Sequence, residues 1–389
     1  MKPVIFITAA LSASSIAQTL TPLGSEPGLN WRVGADIAYD DNVYRTAALE
    51  ETDTYLSVQP ELAWFAYSGA NQFDVALNAD LRRYNDQDVL DYNAWDLRGH
   101  ALLDHSVRLR TDYQIEYVEG VEAPGINNQV FLPGQPPTEF EQVGGAWTVF
   151  YGSTDARGQL QGSVRYSEQE FLNNRQEFRD SNNTQFTGTF LYGIAPRTQL
   201  LFQMDYTDFD FTQADVFGND QSGEQTLYLT GVTWEATANT TGEFKIGYRD
   251  RTFESDNFVD LSGLALSLDM TWTPSELTQV TIGAGQENQD AIIPGAGGQV
   301  RTGFNVGLSR ALGARTALVA TAMYDRFEFE GDSGREDERT EFGLGLEYDL
   351  LPRVTAGLSY QYEERESGLA LFNYTSNAVV ISFRFAPPS

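Results

Sequence analysis

The chain has 389 residues, among them 24 Phe, 19 Tyr, 35 Gly and no Cys. It carries 55 acidic and 25 basic residues, a formal net charge of −30, which argues against nucleic-acid binding because phosphate neutralisation needs clustered Lys and Arg. The absence of Cys excludes disulfides and thiolate metal sites. A mean hydropathy of −0.35 despite many aromatic residues is typical of strands with one wet and one lipid-facing side.

The first 17 residues have the layout of a secretory signal peptide. Lys2 is the basic start, Val4 to Leu11 form the apolar core, and Ser15 to Ala17 resemble a cleavage site. After them no run of 18 apolar residues predicts a membrane-spanning helix. We predict a signal peptide at 1–17, a periplasmic segment at 18–30, a β-barrel at 31–385 and a periplasmic tail at 386–389.

Alternating apolar and polar residues predict strands along the rest of the chain. In the segment 107–117, apolar residues at odd positions alternate with charged and polar residues at even positions. A one-residue slip would move charges into lipid, so the register is strongly set. We expect Leu109 and Phe244 to face lipid, and Arg110 and Lys245 to face the lumen. Pro60 predicts a bulge or a local break in its strand.

Two kinds of connection alternate between these strands. Eight short turns contain Gly, Pro, Asn, Asp or Ser, as in residues 68–71, 104–106 and 274–276. Nine longer connections are predicted to be acidic. Together they predict an all-β fold: a transmembrane, antiparallel, up-and-down β-barrel of about 18 strands, with 16 as the alternative, with short periplasmic turns and long extracellular loops. The longest connection, 119–141, either folds into the pore or stays outside.

The final stretch, 377–385, places Val379, Ile381, Phe383 and Phe385 on one side and Arg384 on the other. It is predicted to close the barrel against the first strand. By the same alternation, the polar positions of all strands are predicted to line the lumen: Arg32, Asp80, Arg82, Asp96, Arg98, His100, Arg108, Arg110, Asp112, Glu116, Arg165, Lys245, Arg249, Arg301, Glu347 and Arg384. Acidic and basic residues are nearly equal in number on this face. The excess of acidic residues in the chain is therefore expected in the loops.

Catalytic and ligand-binding signals are few. His100 and His105 are the only histidines, and a hydrolytic triad is defined by a geometry that the sequence does not display. We expect no enzyme activity and interpret His100 as a residue of the lumen wall. Acidic pairs such as Asp40-Asp41 and Glu50-Glu51 lack the spacing of a calcium loop, so they are expected to be solvated charge. No cofactor and no metal site is predicted.

The start of the predicted barrel resembles a known family. Its segment Trp31 to Arg45, with the core Asp41-Asn-Val-Tyr-Arg45, followed by Asp53 at the start of a long strand, is similar to the start of the second putative β-barrel porin family. Members of that family often accompany exopolysaccharide loci. The tail Ala386 to Ser389 departs from the many barrels that end on an aromatic residue. The resemblance implies an outer-membrane pore, and only loosely a role in polysaccharide secretion.

These features predict a porin-like channel in the outer membrane of a Gram-negative bacterium, reached after signal-peptide cleavage. We expect passive or semi-selective passage of small hydrophilic solutes. The alternatives are an export pore for a neutral exopolysaccharide, and a structural or surface-interaction barrel with a plugged lumen. The expected partners are outer-membrane lipid and lipopolysaccharide, the barrel insertion machinery, and the solute or polysaccharide, but not nucleic acid.

Overall fold

Eighteen antiparallel strands form one sheet in a computed structural model that describes residues 26–125, 131–153, 155–237, 239–290, 297–329 and 334–386. The predicted signal peptide at 1–17 lies outside these residues. The strands are β1 Gly28–Asp40, β2 Asp53–Ser68, β3 Asn71–Tyr84, β4 Tyr92–Ser106, β5 Leu109–Glu122, β6 Thr138–Tyr151, β7 Gly158–Phe171, β8 Ser181–Ala195, β9 Thr198–Phe211, β10 Gly223–Thr237, β11 Thr240–Phe253, β12 Leu261–Ser275, β13 Thr278–Asp290, β14 Gly298–Ala311, β15 Thr316–Phe329, β16 Glu336–Leu351, β17 Val354–Ser367 and β18 Tyr374–Phe385.

Each strand pairs with its neighbours in the chain, and the sheet closes on itself. Ile37 of β1 lies opposite Leu56 of β2 on one side and Ile381 of β18 on the other. The predicted barrel of 18 strands is therefore confirmed, the alternative of 16 is wrong, and the last strand pairs with the first. A closed ring leaves no strand edge unpaired, which is the condition for a sheet to cross a membrane.

Helical structure is confined to single turns in the described chain, at Asp88–Leu90, Glu177–Arg179 and Ala370–Phe372. No helix among the described residues is long and apolar enough to cross a membrane.

The connections alternate as predicted. Those at one end of the barrel, the short-turn end, have two to six residues, and those at the other, the long-loop end, have six to 15. Some boundaries differ from the prediction. The segment 104–106 belongs to β4, so β5 starts at Leu109 rather than Val107, and residues 107–108 form the turn. The barrel also starts at Gly28, three residues before the predicted start.

The strands at the long-loop end are longer than their alternation suggested. β5 extends to Glu122 and β6 begins at Thr138, so the connection between them is 123–137 rather than 119–141. This connection contains no Asp, Glu, Lys or Arg. The prediction that every long connection is acidic is therefore wrong for it.

Pro60 does not shift the strand register. β2 pairs with β1 through Val33 and Pro60, and its pairing with β3 passes from Val58 directly to Glu61. The ladder is thus interrupted locally on one side, as expected for a residue without an N–H group, but there is no bulge.

Candidate functional site

Side-chain contacts across the sheet identify its concave face. Arg251 of β11 forms a 2.6 Å ion pair with Asp290 of β13, although β12 lies between these strands. Contacts across an intervening strand are favoured on the concave side of a sheet, where side chains converge, and the other polar side chains of these strands share this face. Arg251 shares this face with Lys245 and Arg249, because residues two apart point to the same side of a strand. The polar face therefore lines the lumen, and the exposed apolar side chains cover the outside.

The strand register places 15 of the 16 predicted residues on this polar face: Arg32, Asp80, Arg82, Asp96, Arg98, His100, Arg110, Asp112, Glu116, Arg165, Lys245, Arg249, Arg301, Glu347 and Arg384. The exception is Arg108. It is exposed in the turn between β4 and β5, because β5 starts at Leu109, two residues later than predicted.

Most of these cations contact carboxylates of the same wall. Arg384 of β18 forms a 2.7 Å ion pair with Asp36 of β1. Lys245 pairs with Glu243 at 2.6 Å, and Arg301 with Asp325 at 2.7 Å. Opposite charges on neighbouring strands stabilise the wall and reduce the positive potential that a solute meets.

His100 lies between two carboxylates. Its Nδ1 is 2.8 Å from Asp74 Oδ1, and its Nε2 is 2.8 Å from Asp112 Oδ2. An ionised carboxylate only accepts hydrogen bonds, so both contacts are satisfied when both ring nitrogens carry a proton. A general base needs a free ring nitrogen facing its nucleophile. The arrangement therefore suits a fixed charge in the wall rather than hydrolytic chemistry.

A chain of ion pairs near the long-loop end was not predicted. Glu363 of β17 accepts a hydrogen bond from Arg45 Nε at 3.0 Å and forms an ion pair with Arg339, whose Nε lies 3.1 Å from Glu363 Oε1. Asp40 accepts from Arg45 Nη1 at 2.8 Å. Burial opposes the charge on Arg45, yet the carboxylates of Asp40 and Glu363 raise the pKa of this guanidinium well above its usual value. The core of the motif that carries the family resemblance thus joins the first connection to the closing strands.

The sequence holds one signal for this chain of ion pairs. Asp337, Arg339 and Glu341 occupy every second position of β16, as do Glu363 and Arg365 in β17. The period of two, which places Glu341 on the polar face, puts the other four on the same face when it is extended to the ends of these strands.

The connection 123–137 folds against the mouth of the barrel. Phe131 packs in a buried cluster with Val43 and Tyr44 of the first connection, 41–52, and Leu90 of the second, 85–91. Gly134 N donates to Tyr44 Oη at 3.1 Å. At Gly125, a Cβ atom would lie 2.8 Å from Arg45 Cγ. The sequence left open whether this connection folds into the pore or stays outside. Its described residues fold inward across the mouth.

A second segment covers the mouth from another side. Pairing between β12 and β13 ends at Leu266 and Gln286, although β13 continues to Asp290. Beyond this point Asn288 donates to Gln225 of β10 at 3.2 Å. Arg251 is buried there, 4.3 Å from the ring centre of Phe209. The end of β13 therefore bends over the inner face of β10 and β11.

The two ends of the barrel carry opposite charge. The long connections contain 15 acidic and four basic residues, and the short turns contain two acidic and five basic residues. The long-loop end is therefore acidic as a whole. Among the described residues, no three His, Asp or Glu side chains gather into a group able to hold a metal ion.

A closed barrel with an apolar outside, a polar lumen and short turns at one end defines the class of outer-membrane porins. The chain belongs to the family described as "Putative beta-barrel porin 2", whose family model matches residues 29–386. This is a family of outer-membrane barrels of the channel-forming, porin type. The comparison with curated proteins gave no match.

Solved outer-membrane structures share the fold at low sequence identity. Pseudomonas aeruginosa OpdO is similar with a TM-score of 0.53 and 12% identity, over 92% of this chain and 97% of that one. Pseudomonas aeruginosa OccK9 (OpdG) gives a TM-score of 0.51 and 12% identity, over 92% of this chain and 98% of that one. At this identity the likeness shows the fold alone.

Proposed function

We propose that this protein is a channel through which small hydrophilic solutes pass passively or semi-selectively. The observation that carries the proposal is the charge-paired polar wall inside a closed ring of 18 strands. A barrel of this size leaves an aqueous interior unless segments fill it. Because lumen cations such as Lys245, Arg301 and Arg384 are paired with carboxylates, the wall offers hydrogen-bonding surface without a strong site that would trap an anion.

The inward-folded connection 123–137 favours small solutes over polymers. Tyr44, Leu90 and Phe131 are nearly inaccessible to solvent in the cluster at the mouth. The cluster narrows the mouth, and a polysaccharide chain needs a wider opening than a small solute does. We therefore expect export of a neutral polysaccharide to depend more strongly on movement of the mouth segments than passage of small solutes.

Conductance of the purified protein in planar bilayers tests the proposal. We expect stable, ohmic openings, together with swelling of proteoliposomes in mono- and disaccharides and a loss of swelling with longer oligosaccharides. A folded, inserted barrel that neither conducts nor admits sugars would instead support the structural role with a plugged lumen. Swelling that persists with long oligosaccharides would support the export role.

A further inference from the structure

Five arginines occupy equivalent positions at the short-turn end. Each is the residue immediately before an odd-numbered strand: Arg108 before β5, Arg157 before β7, Arg197 before β9, Arg315 before β15 and Arg353 before β17. Their backbone carbonyls accept equivalent hydrogen bonds from backbone N–H groups at the end of the following even-numbered strand: Arg197 O from Glu235 N at 2.8 Å, Arg315 O from Asp349 N at 2.9 Å and Arg353 O from Ala386 N at 3.2 Å. The repeat of the barrel thus spaces guanidinium groups around its rim.

These arginines differ from most arginines of the lumen in lacking carboxylate partners. All five are exposed, and none forms an ion pair with another residue in the described part of the chain. The other charged groups in the eight short turns are Asp155 and Glu276, so the short turns keep a net positive charge in a chain whose net charge is −30. In the lumen, by contrast, Arg301 and Arg384 are paired.

Large apolar side chains flank the same arginines and are exposed. Val107 next to Arg108 is 87% exposed, and Leu351 near Arg353 is 62% exposed. Leu312, near Arg315, is 55% exposed. An apolar side chain beside a guanidinium suits the boundary of a bilayer, where the apolar group enters the acyl region and the cation meets the phosphates.

We infer that the turn arginines bind the phosphate groups of phospholipids in the leaflet at the short-turn end. We name this set, Arg108, Arg157, Arg197, Arg315 and Arg353, the rim arginines. In the proposed orientation this is the periplasmic leaflet. The guanidinium group donates paired hydrogen bonds in the planar geometry that phosphate accepts. The rim arginines would fix the depth of the barrel in the membrane and favour anionic phospholipid around it.

The test is lipid retention measured by native mass spectrometry. The full-length protein is exchanged from detergent into equal amounts of phosphatidylglycerol and phosphatidylcholine. We expect the wild type to retain more phosphatidylglycerol than phosphatidylcholine. In the triple variant Arg197→Gln/Arg315→Gln/Arg353→Gln the ratio of the two retained lipids should be about tenfold lower. The variant Arg197→Lys/Arg315→Lys/Arg353→Lys should keep most of it, because the charge remains.

A matched control removes three solvent-accessible arginines from the long-loop end, Arg83→Gln/Arg175→Gln/Arg326→Gln. It changes the net charge equally and should keep the lipid preference. Equal loss in this control, or no preference in the wild type, would overturn the inference. Full displacement of phosphatidylglycerol by inorganic phosphate would overturn the inference, because it would show that the rim arginines bind a soluble anion rather than a lipid. Conductance of the triple glutamine variant should be unchanged, so failure of this inference is separable from failure of the channel function.

Discussion

Arg45 Nε lies 3.0 Å from Glu363 Oε2, and these two residues are separated by 318 positions in the sequence. The contact joins the connection after the first strand to the penultimate strand. It stands beside the pairing of β1 with β18, where the ends of the chain must find each other to close the ring. An ion pair at this place ties the last step of barrel closure to a motif near its start.

The variant Arg45→Ala should destabilise the closed barrel. It leaves the carboxylates of Asp40 and Glu363 buried with less compensation, and removing one partner of a buried pair costs about 3–5 kcal/mol. The expected result is a lower midpoint for heat-modifiable migration in detergent. The control is Arg326→Ala, because the Arg326 side chain is 40% exposed and its ion pairs are solvated. Its cost should stay below about 1 kcal/mol. Equal midpoints for the two variants would contradict a role of Arg45 in closure.

The raised pKa of Arg45 sets the sign of a pH effect. Its charge contributes stability that is fully present below the ordinary arginine pKa and is lost only as pH rises through the higher folded value. Alkaline titration across the range in which tyrosines ionise should therefore leave the Arg45 contribution intact. In practice, the difference in unfolding midpoint between wild type and Arg45→Ala should be the same at neutral and at mildly alkaline pH. A difference that shrinks with rising pH would disagree with this assignment.

The facing of the strands can be tested in the middle of β5. Ile115 is 69% exposed on the apolar face, and Gln114 is its neighbour on the polar face. The variant Ile115→Arg places a charge in lipid and should cost about 2–4 kcal/mol, while Gln114→Arg should mainly change permeation. Single cysteines at 114 and 115 provide the readout, since a water-soluble maleimide should modify the first much faster than the second. Similar rates at both positions would mean that the register is wrong.

The alternation of the sequence predicts the strands, their number and their faces because each rests on a local period of two. Leu109 and Arg110, for example, fall on opposite faces whichever strands surround them. The contact of Arg45 with Glu363 and the packing of Phe131 on Tyr44 are different. They join segments that are far apart in the sequence, and no local pattern specifies them. The misplaced start of β5 has a local cause, since Val107 continues the apolar alternation into the turn.

The position of the connection 123–137 depends on Gly125. This residue has a φ of +88°, and an added Cβ atom would meet Arg45 Cγ. Gly134 in the same connection has a φ of +87° but open space around it. Both Gly→Ala variants carry a similar backbone penalty, of about 1 kcal/mol. Only Gly125→Ala should also displace the connection, which should alter single-channel conductance and increase cleavage of the connection by added protease. Identical behaviour of the two variants would show that the connection is not held through Arg45.

Ion selectivity follows from which charges of the lumen remain uncompensated. The Lys245 and Arg384 side chains are paired, whereas the Asp269 carboxylate on the same wall has no Lys or Arg within ion-pair distance among the described residues. The acidic long-loop end adds to this field, which raises the local cation concentration. We therefore expect a weak cation preference at low salt that fades toward about 1 M, where the Debye length falls to about 3 Å. Reversal potentials across a KCl gradient measure it. The variant Asp269→Asn should reduce the preference, and Asp208→Asn, on the outer face of β9, should leave it unchanged. Anion preference at low salt would mean that lumen arginines control entry despite their partners.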